Sequence, residues 1–277
     1  MATSPVASSA GKGRGWNLAL QGARRWRQFR LGLAFVEFGL AALSVAFLAA
    51  PLVRSRAATD EEAELAVQRV IGRAYALSVG FFEWIGILRL RSQGMAELAA
   101  EGPCIVVANH PTLTDVVLLG SHWKQMDCIV NAGWTANSPF LARAIDAAGY
   151  IRNDGGSAVV EDCAKRLRAG RRLLVFPEGT RSPWGGLGKF HRGAAHISLA
   201  SGMPLVAVTI ACRPRMLGSG RKWHDVDPRR SEFEMRIAGR LHPADYRREG
   251  VSTPIAARRM TEDLLAIYLQ EPHLADS

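Results

Sequence analysis

A histidine and an aspartate stand five residues apart in the segment 109–115, Asn-His-Pro-Thr-Leu-Thr-Asp, which directly follows an apolar run. On an ideal helix an offset of five residues separates two side chains by about 140°, so a uniform helix would keep His110 and Asp115 apart. A strand-end loop that turns into a helix near Thr114 can bring them together. A carboxylate that binds one ring nitrogen fixes the tautomer and leaves the other nitrogen free to accept a proton, as a general base requires. Taken alone, the segment fits better a loop histidine and a helix-capping aspartate that never meet.

A second polar segment follows a later apolar run. Residues 176–182 read Phe-Pro-Glu-Gly-Thr-Arg-Ser, and Lys189 and Arg192 come soon after them. The proline and glycine permit a tight turn, while the threonine, arginine and serine offer a cation and hydroxyl donors. Arginine suits phosphate because its guanidinium makes bidentate hydrogen bonds. Without the first segment, this one would fit an ordinary basic turn.

Together the two segments resemble the motifs of the glycerolipid acyltransferase family, whose best-known members are the 1-acylglycerol-3-phosphate acyltransferases. Residues 109–115 match the family's Asn-His-x4-Asp, and residues 176–182 match its Phe-Pro-Glu-Gly-Thr-Arg-Ser. Two weaker blocks follow the family's order: residues 149–152, Gly-Tyr-Ile-Arg, and residues 202–206, Gly-Met-Pro-Leu-Val. The resemblance covers roughly residues 80–245.

The resemblance implies an O-acyltransferase in which His110 deprotonates the acceptor hydroxyl and Asp115 orients the imidazole. The acceptor would be a lysophospholipid such as 1-acylglycerol-3-phosphate, and the acyl donor acyl-CoA or acyl-acyl carrier protein as co-substrate. No metal, organic cofactor or acyl-enzyme is expected. The residues that the resemblance assigns to acceptor binding, largely through its phosphate, are Arg152, Glu178, Gly179, Thr180 and Arg181.

Three departures from the family pattern bear on the acceptor. Residues 111–113 are Pro-Thr-Leu where many relatives carry polar residues, Ala207 replaces a second proline, and His191 stands where relatives often carry a base. They leave the chemistry intact but keep a second acceptor class open: an amino-acid lipid, a glycolipid or a secondary-metabolite hydroxyl. An inactive acyltransferase fold that binds membranes or nucleic acid is disfavoured, because His110, Asp115 and Glu178 are all present.

The elements that must position these residues are those of an α/β fold. Helical patterns such as Val159–Ala169 and Thr253–Gln270 accompany short apolar runs, and this alternation predicts a mixed, largely parallel sheet flanked by helices. The runs that predict strands are Cys104–Ala108, Cys128–Val130, Leu173–Phe176, Leu205–Ile210 and Phe233–Ile237.

The N-terminal third predicts a pair of apolar, membrane-associated helices before the α/β domain. Leu31–Leu52 is almost wholly apolar, and as a helix its length would be ~33 Å, roughly the thickness of a bilayer's hydrocarbon core. A signal peptide is the weaker alternative, because the apolar run is too long. A second helix is predicted from Thr59 through Leu90, with Arg73 and Glu83 favouring an interfacial position over a full span.

The predicted organisation therefore has three parts. Residues 1–30 form a basic segment whose first fifteen residues are disordered, residues 31–92 the membrane-associated helices, and residues 93–277 the acyltransferase domain. The site of action is the inner, cytoplasmic membrane, with the catalytic domain facing the cytosol, where acyl-CoA and acyl carrier protein are found.

Composition narrows the remaining function classes. The net charge of +10 indicates an anionic partner, such as phospholipid headgroups or a phosphorylated small molecule. Nucleic acid is not expected, because the basic residues surround an apolar anchor instead of alternating with exposed aromatic residues. The four cysteines lie far apart without a Cys-x-x-Cys pair, which argues against a zinc site and for a reducing compartment. The motifs of serine hydrolases, nucleotide hydrolases and zinc peptidases do not occur.

Overall fold

A seven-stranded, mostly parallel sheet forms the centre of the molecule. The structure, a computed structural model, describes residues 10–131, 139–153 and 156–274. The strand order is β1-β7-β6-β2-β5-β3-β4; β6 and β7 pair antiparallel, and the other neighbouring strands pair parallel. The predicted mixed, largely parallel sheet is confirmed. The strands are β1 Leu88–Gln93, β2 Ile105–Ala108, β3 Asp127–Asn131, β4 Ile151–Asn153, β5 Leu173–Val175, β6 Leu205–Arg213 and β7 Ser231–Leu241.

Helices cover both faces of this sheet, because successive strand residues point to opposite sides. Val106 and Ala108 face one cluster of buried side chains, to which the N-terminal helices contribute, while Ile105 and Val107 face a second cluster on the other side. The described helices are α1 Ala10–Ser44, α2 Ala50–Arg54, α3 Asp60–Trp84, α4 Met95–Ala100, α5 Asp115–Gly120, α6 Pro139–Ala147, α7 Ser157–Arg168, α8 Gly193–Ser201 and α9 Thr253–Leu269. A π-helical turn, Val45–Ala49, joins α1 to α2, and short 3-10 turns occupy Pro243–Tyr246 and Pro272–Leu274.

Helices α1 and α3 differ in the length of their apolar stretches. Among the described residues, one helical stretch, Ala19–Arg54, is long and apolar enough to cross a membrane by length and composition. Helix α3 packs against α1, where Ser78 donates a 2.9 Å hydrogen bond to Glu37 and the rings of Phe38 and Tyr75 stack. The predicted pair of membrane helices is thus not confirmed as a pair, although both helices are present and in contact.

Two local predictions need correction. The second helix begins as predicted, because Thr59 accepts a hydrogen bond from the Glu62 amide, but it ends at Trp84 instead of Leu90. Gly86, with φ of +71°, turns the chain, and the residues from Leu88 enter the sheet as β1 beside β7. Residues 10–15, predicted as disordered, belong to helix α1, while residues 1–9 lie outside the described residues.

Candidate active site

The two polar segments meet because they follow neighbouring parallel strands. Ile105 of β2 lies opposite Leu173 of β5, and Val107 lies opposite Val175, so both strands end at the same edge of the sheet. Ligands in open α/β sheets bind at this carboxyl edge. The loops are also joined directly, because the Ser182 amide donates a 2.7 Å hydrogen bond to the His110 carbonyl.

The histidine and the aspartate of the first segment are in contact. His110 Nδ1 lies 2.8 Å from Asp115 Oδ2, across a loop that leads into helix α5 at Asp115. Asp115 is completely buried and accepts two further hydrogen bonds, from the backbone amide and the hydroxyl of Thr112 at 2.7 and 2.6 Å. Because a carboxylate only accepts, it holds the proton of the imidazole on Nδ1 and leaves the Nε2 lone pair free. The alternative, in which the two side chains never meet, does not describe this loop.

The imidazole of His110 is fixed by neighbours other than Asp115. Its ring stacks on Phe176 with the two centroids 4.2 Å apart, and its backbone amide donates to Glu178 Oε1 at 3.1 Å. Before it, the side-chain amide of Asn109 exchanges hydrogen bonds of 2.8 and 2.7 Å with the backbone of Ile210. This exchange extends the pairing of β2 with β6 past the end of the strand, so the position of His110 is set by the sheet.

Glu178 lies inside the loops that surround the histidine, with 4% of its surface exposed. Its Oε1 accepts from the His110 amide and from the Ser182 hydroxyl, the latter at 2.6 Å, and its Oε2 accepts from the Gly188 amide at 2.5 Å. Both oxygens are therefore used within the protein. The resemblance assigned Glu178 to acceptor binding, whereas the structure places it where it joins three backbone segments.

The next three predicted residues line a cavity together with His110. Gly179 has a φ of +66°, in the left-handed region that favours glycine, and it closes the turn by donating to the Phe176 carbonyl. Thr180 is exposed at the cavity. The Arg181 Nη1 is held by the carbonyls of Leu217 and Gly218 at 2.9 and 3.2 Å. Its Nε and Nη2 make no hydrogen bond with the residues that the structure describes, so they remain available to a ligand.

Arg152 stands apart from the other predicted site residues. It lies on β4, the last strand of the sheet order, and its guanidinium is 2.5 Å from Asp146 on helix α6. Nearly half of its side chain is exposed, and it is not among the residues that line the cavity. The structure does not bring Arg152 to His110.

The cavity has a volume of about 670 Å³ and an apolar interior. His110, Thr180, Arg181 and His191 supply polar groups to its lining, while most of the wall comes from apolar side chains. Helix α1 contributes the apolar residues Leu31, Ala34, Phe35 and Phe38. A long hydrocarbon chain fits such a wall, because burying apolar surface is the main source of binding free energy there.

Arg215 is a residue of the site that the sequence motifs did not indicate. Its guanidinium donates to the carbonyls of Pro111, Ser182 and Pro183 at 2.6–3.0 Å and lies over the Trp184 ring, 4.9 Å from its centroid. Burial lowers the pKa of this guanidinium from its ordinary value. Arg215 therefore holds the two motif loops together. Its signal in the sequence is slight: an arginine shortly after an apolar strand, far from the segments that it contacts.

No residue set is assigned to a metal. Within residues 10–131, 139–153 and 156–274, no group of three or more His, Cys, Asp or Glu side chains is arranged to hold an ion. All four cysteines are buried and free.

The family model and the relatives that this chain matches are all acyltransferases. Residues 89–211 match the family model described as Acyltransferase. A chloroplastic 1-acyl-sn-glycerol-3-phosphate acyltransferase of Brassica napus is 32% identical over 136 residues, which are 46% of this chain and 39% of that protein. A lyso-ornithine lipid O-acyltransferase of Pseudomonas aeruginosa is 32% identical over 126 residues, 42% of this chain and 45% of that protein. The chain thus matches less than half the length of either relative.

The fold is shared with a solved structure, the 1-acyl-sn-glycerophosphate acyltransferase PlsC of Thermotoga maritima. The two superpose with a TM-score of 0.62 over 88% of this chain and 99% of that one, at 19% sequence identity. The segment matched by the family model contains both polar motifs, strands β2 to β5 in full and most of β1 and β6. Residues 89–211 therefore match the Acyltransferase family model, and the chain shares the fold of a solved acyltransferase.

Proposed function

We propose that the protein is an O-acyltransferase that moves a fatty acyl group from an acyl thioester onto a hydroxyl of a lysophospholipid such as 1-acylglycerol-3-phosphate. The observation that carries the proposal is the position of His110, paired with the buried Asp115, on the wall of a large apolar cavity that Arg181 also lines. The relatives at 32% identity, both O-acyltransferases of lyso-lipids by name, support the same chemistry.

The reaction follows from which ring nitrogen of His110 carries the proton: Nδ1 carries it, and Nε2 is the base. Its Nε2 takes the proton of the acceptor hydroxyl as the oxygen attacks the thioester carbonyl carbon, and Asp115 stabilises the imidazolium that forms. The tetrahedral intermediate then collapses with cleavage of the carbon–sulfur bond. The departing thiolate takes the proton from the imidazolium, so the base is regenerated and no acyl-enzyme forms. The carrier of the thiol is coenzyme A or acyl carrier protein.

Arg181 is the residue proposed to bind the acceptor's phosphate. Since its Nη1 is anchored on two backbone carbonyls, the guanidinium is held in one plane with Nε and Nη2 unpaired among the described residues. That pair of donors matches two oxygens of a phosphate. Thr180 and His191, on the same cavity wall, are placed to make further contacts with the headgroup.

One comparison supports a second class of acceptor, an amino-acid lipid. The lyso-ornithine lipid O-acyltransferase is as similar in identity as the plant 1-acyl-sn-glycerol-3-phosphate acyltransferase. An ornithine lipid carries no phosphate, so acylation of such an acceptor would not need Arg181 to bind one. Dependence on Arg181 therefore distinguishes the two classes.

The proposed place of action is the inner, cytoplasmic membrane, with the α/β domain on the cytosolic side where both thioester donors are found. The long apolar stretch Ala19–Arg54 supports membrane association, and membrane lipids are the proposed partners. We propose no nucleic-acid partner and no cofactor beyond the acyl thioester.

The test is transfer of a labelled acyl group from acyl-CoA, and separately from acyl-acyl carrier protein, to a panel of lyso-lipids with product identification by mass spectrometry. His110→Ala should lower turnover by ~10²–10⁴-fold, the usual contribution of a general base. Asp115→Asn should lose nearly as much, because an amide can hold the imidazole in the wrong tautomer. His242→Ala, an exposed histidine away from the cavity, is the matched control. Wild-type turnover by folded His110→Ala protein would refute the mechanism.

A further inference from the structure

A basic cleft lies between the first helix and the loop that follows β6. Arg24 and Gln28 of α1 form one wall, and loop residues form the other, enclosing about 450 Å³. This cleft is separate from the cavity at His110, with which it shares no lining residue. The loop residues that line it are Gly220, Arg221, Lys222, His224 and Asp225.

The cleft carries an excess of positive charge. Asp225 is its carboxylate, paired with Arg221 at 2.6 Å and more distantly with Arg24 at 3.8 Å. Lys222 is exposed, and its ammonium group makes no hydrogen bond or ion pair with the residues that the structure describes. Three cations therefore face one carboxylate, and two positive charges are left for an anion.

The walls of the cleft are held in place before any ligand binds. Arg24 Nε donates to the Val226 carbonyl at 3.1 Å, and Gln28 Nε2 donates to the His224 carbonyl at 2.8 Å. On the far side of the loop, Arg221 lies over the Trp184 ring, 5.0 Å from its centroid. A preformed site loses less entropy when it binds a ligand.

The surroundings of the cleft are apolar and exposed. Trp26 and Phe29 are 58% and 61% exposed on α1, and Trp223, in the loop, is 49% exposed and packs edge-on against Phe35. Exposed apolar residues continue at helical spacing along α1 and into the π-helical turn that follows it: Leu33, Val36, Leu40, Leu43 and Phe47. Such a stripe lies in a membrane interface, where indole rings are enriched at headgroup level.

We propose that this cleft binds the phosphate of an anionic phospholipid in the membrane on which α1 lies. The apolar stripe enters the acyl region, and Arg221 and Lys222 then sit where headgroup phosphates are. A soluble phosphate compound would gain the charge contacts but would not need exposed aromatic residues on either side of the cleft. The occupant is thus a membrane lipid, distinct from the acceptor that reacts at His110.

The experiment measures lipid preference in neutral detergent micelles, by energy transfer from tryptophan to dansyl-labelled phosphatidylglycerol or dansyl-labelled phosphatidylcholine. The full chain with His110→Ala is used, so the result does not depend on turnover or on the proposed function. Arg221→Gln/Lys222→Gln should lower the association with phosphatidylglycerol by about 5-fold for each cation removed, or about 30-fold in all. Association with phosphatidylcholine should not change.

The matched control is Arg248→Gln/Arg259→Gln, which removes two exposed cations close to or on helix α9, on the opposite face of the sheet. It should retain the preference for phosphatidylglycerol. An equal loss in this control would overturn the proposal, because net charge and not the cleft would then set the preference. Displacement of the labelled lipid by inorganic phosphate, beyond that by chloride at equal ionic strength, would also overturn it, since the cleft would then take free phosphate.

Discussion

Glu178→Gln separates a structural role for Glu178 from the acceptor-binding role that the family resemblance implies. The substitution keeps the shape of the side chain but replaces one accepting oxygen with an NH2 donor. In the native loops, three donors converge on the carboxylate: the backbone amides of His110 and Gly188 and the hydroxyl of Ser182. A glutamine cannot accept from all of them.

The free-energy cost of Glu178→Gln can be worked out for both orientations of the glutamine amide. If its NH2 group faces Gly188, that backbone amide meets a donor and loses its hydrogen bond. If the amide is flipped, the His110 amide loses Oε1 and keeps only its longer, 3.2 Å hydrogen bond to the Ser182 hydroxyl, which must turn its own proton away from the new NH2 group. Either way one buried backbone donor loses its hydrogen bond to the carboxylate, at about 1–3 kcal/mol. For a protein of this size, that corresponds to a melting temperature lower by roughly 2–10 °C.

The assay is thermal unfolding of wild-type and Glu178→Gln protein in detergent without substrates, followed by steady-state kinetics at a temperature where both are folded. We expect a lower melting temperature and a lower kcat, because the His110 backbone loses an anchor, with little change in the acceptor KM. Ser182→Ala, which removes one donor and orphans no backbone group, should be the milder variant. An unchanged melting temperature with a raised acceptor KM would refute the reasoning and return Glu178 to acceptor binding.

Other consequences of the site geometry can be measured separately. Arg181→Ala should raise the KM of a phosphate-bearing acceptor by about 10- to 150-fold, the effect of losing a charge-assisted hydrogen bond, and leave the donor KM unchanged. Arg152→Ala should leave the acceptor KM at its wild-type value and lower the free energy of unfolding by at most about 1 kcal/mol, as expected for an exposed ion pair. Arg215→Lys should lower both kcat and the melting temperature, because an ammonium group cannot reach three loop carbonyls at once. At pH 8, Ellman's reagent should find no reactive thiol in native protein and four after unfolding, because burial raises the pKa of Cys104 to about 11 and that of the other three to about 12: Cys128, Cys163 and Cys212.

The central strands were predictable because they are buried on both faces. Ile105–Ala108 is a continuous apolar run, and Leu205–Arg213 is apolar apart from Thr209 and Arg213, as expected for strands between two helical layers. The two end strands gave no such signal. In Leu88–Gln93 most side chains after Leu88 are exposed, so its arginines resemble the end of an amphipathic helix, and Ile151–Asn153 has only three residues.

The parts of the site formed by residues close together in the sequence were predictable. The spacing of His110 and Asp115 after a strand allowed the two side chains to meet, and the resemblance of both polar segments to the family's motifs favoured that they do. The role of Glu178 was not accessible, because its partners are set by how the two loops fold against each other. Arg215 was not accessible either, since Pro111 lies about a hundred residues before it and a single arginine carries no motif.

Helix α1 helps to form the cavity of the candidate site and packs against the loop after β6. Its side chains close the apolar cavity, and its buried Arg27 donates to the Arg229 carbonyl and to Ser231 Oγ at the end of the loop after β6. That same loop supplies the carbonyl of Leu217, which holds Arg181. The predicted boundary between a helical region and an acyltransferase domain is therefore crossed by the contacts that shape the cavity and hold Arg181. A chain that begins after α1 would lack one wall of the cavity and one support of Arg181, so it would be impaired even with fully soluble substrates.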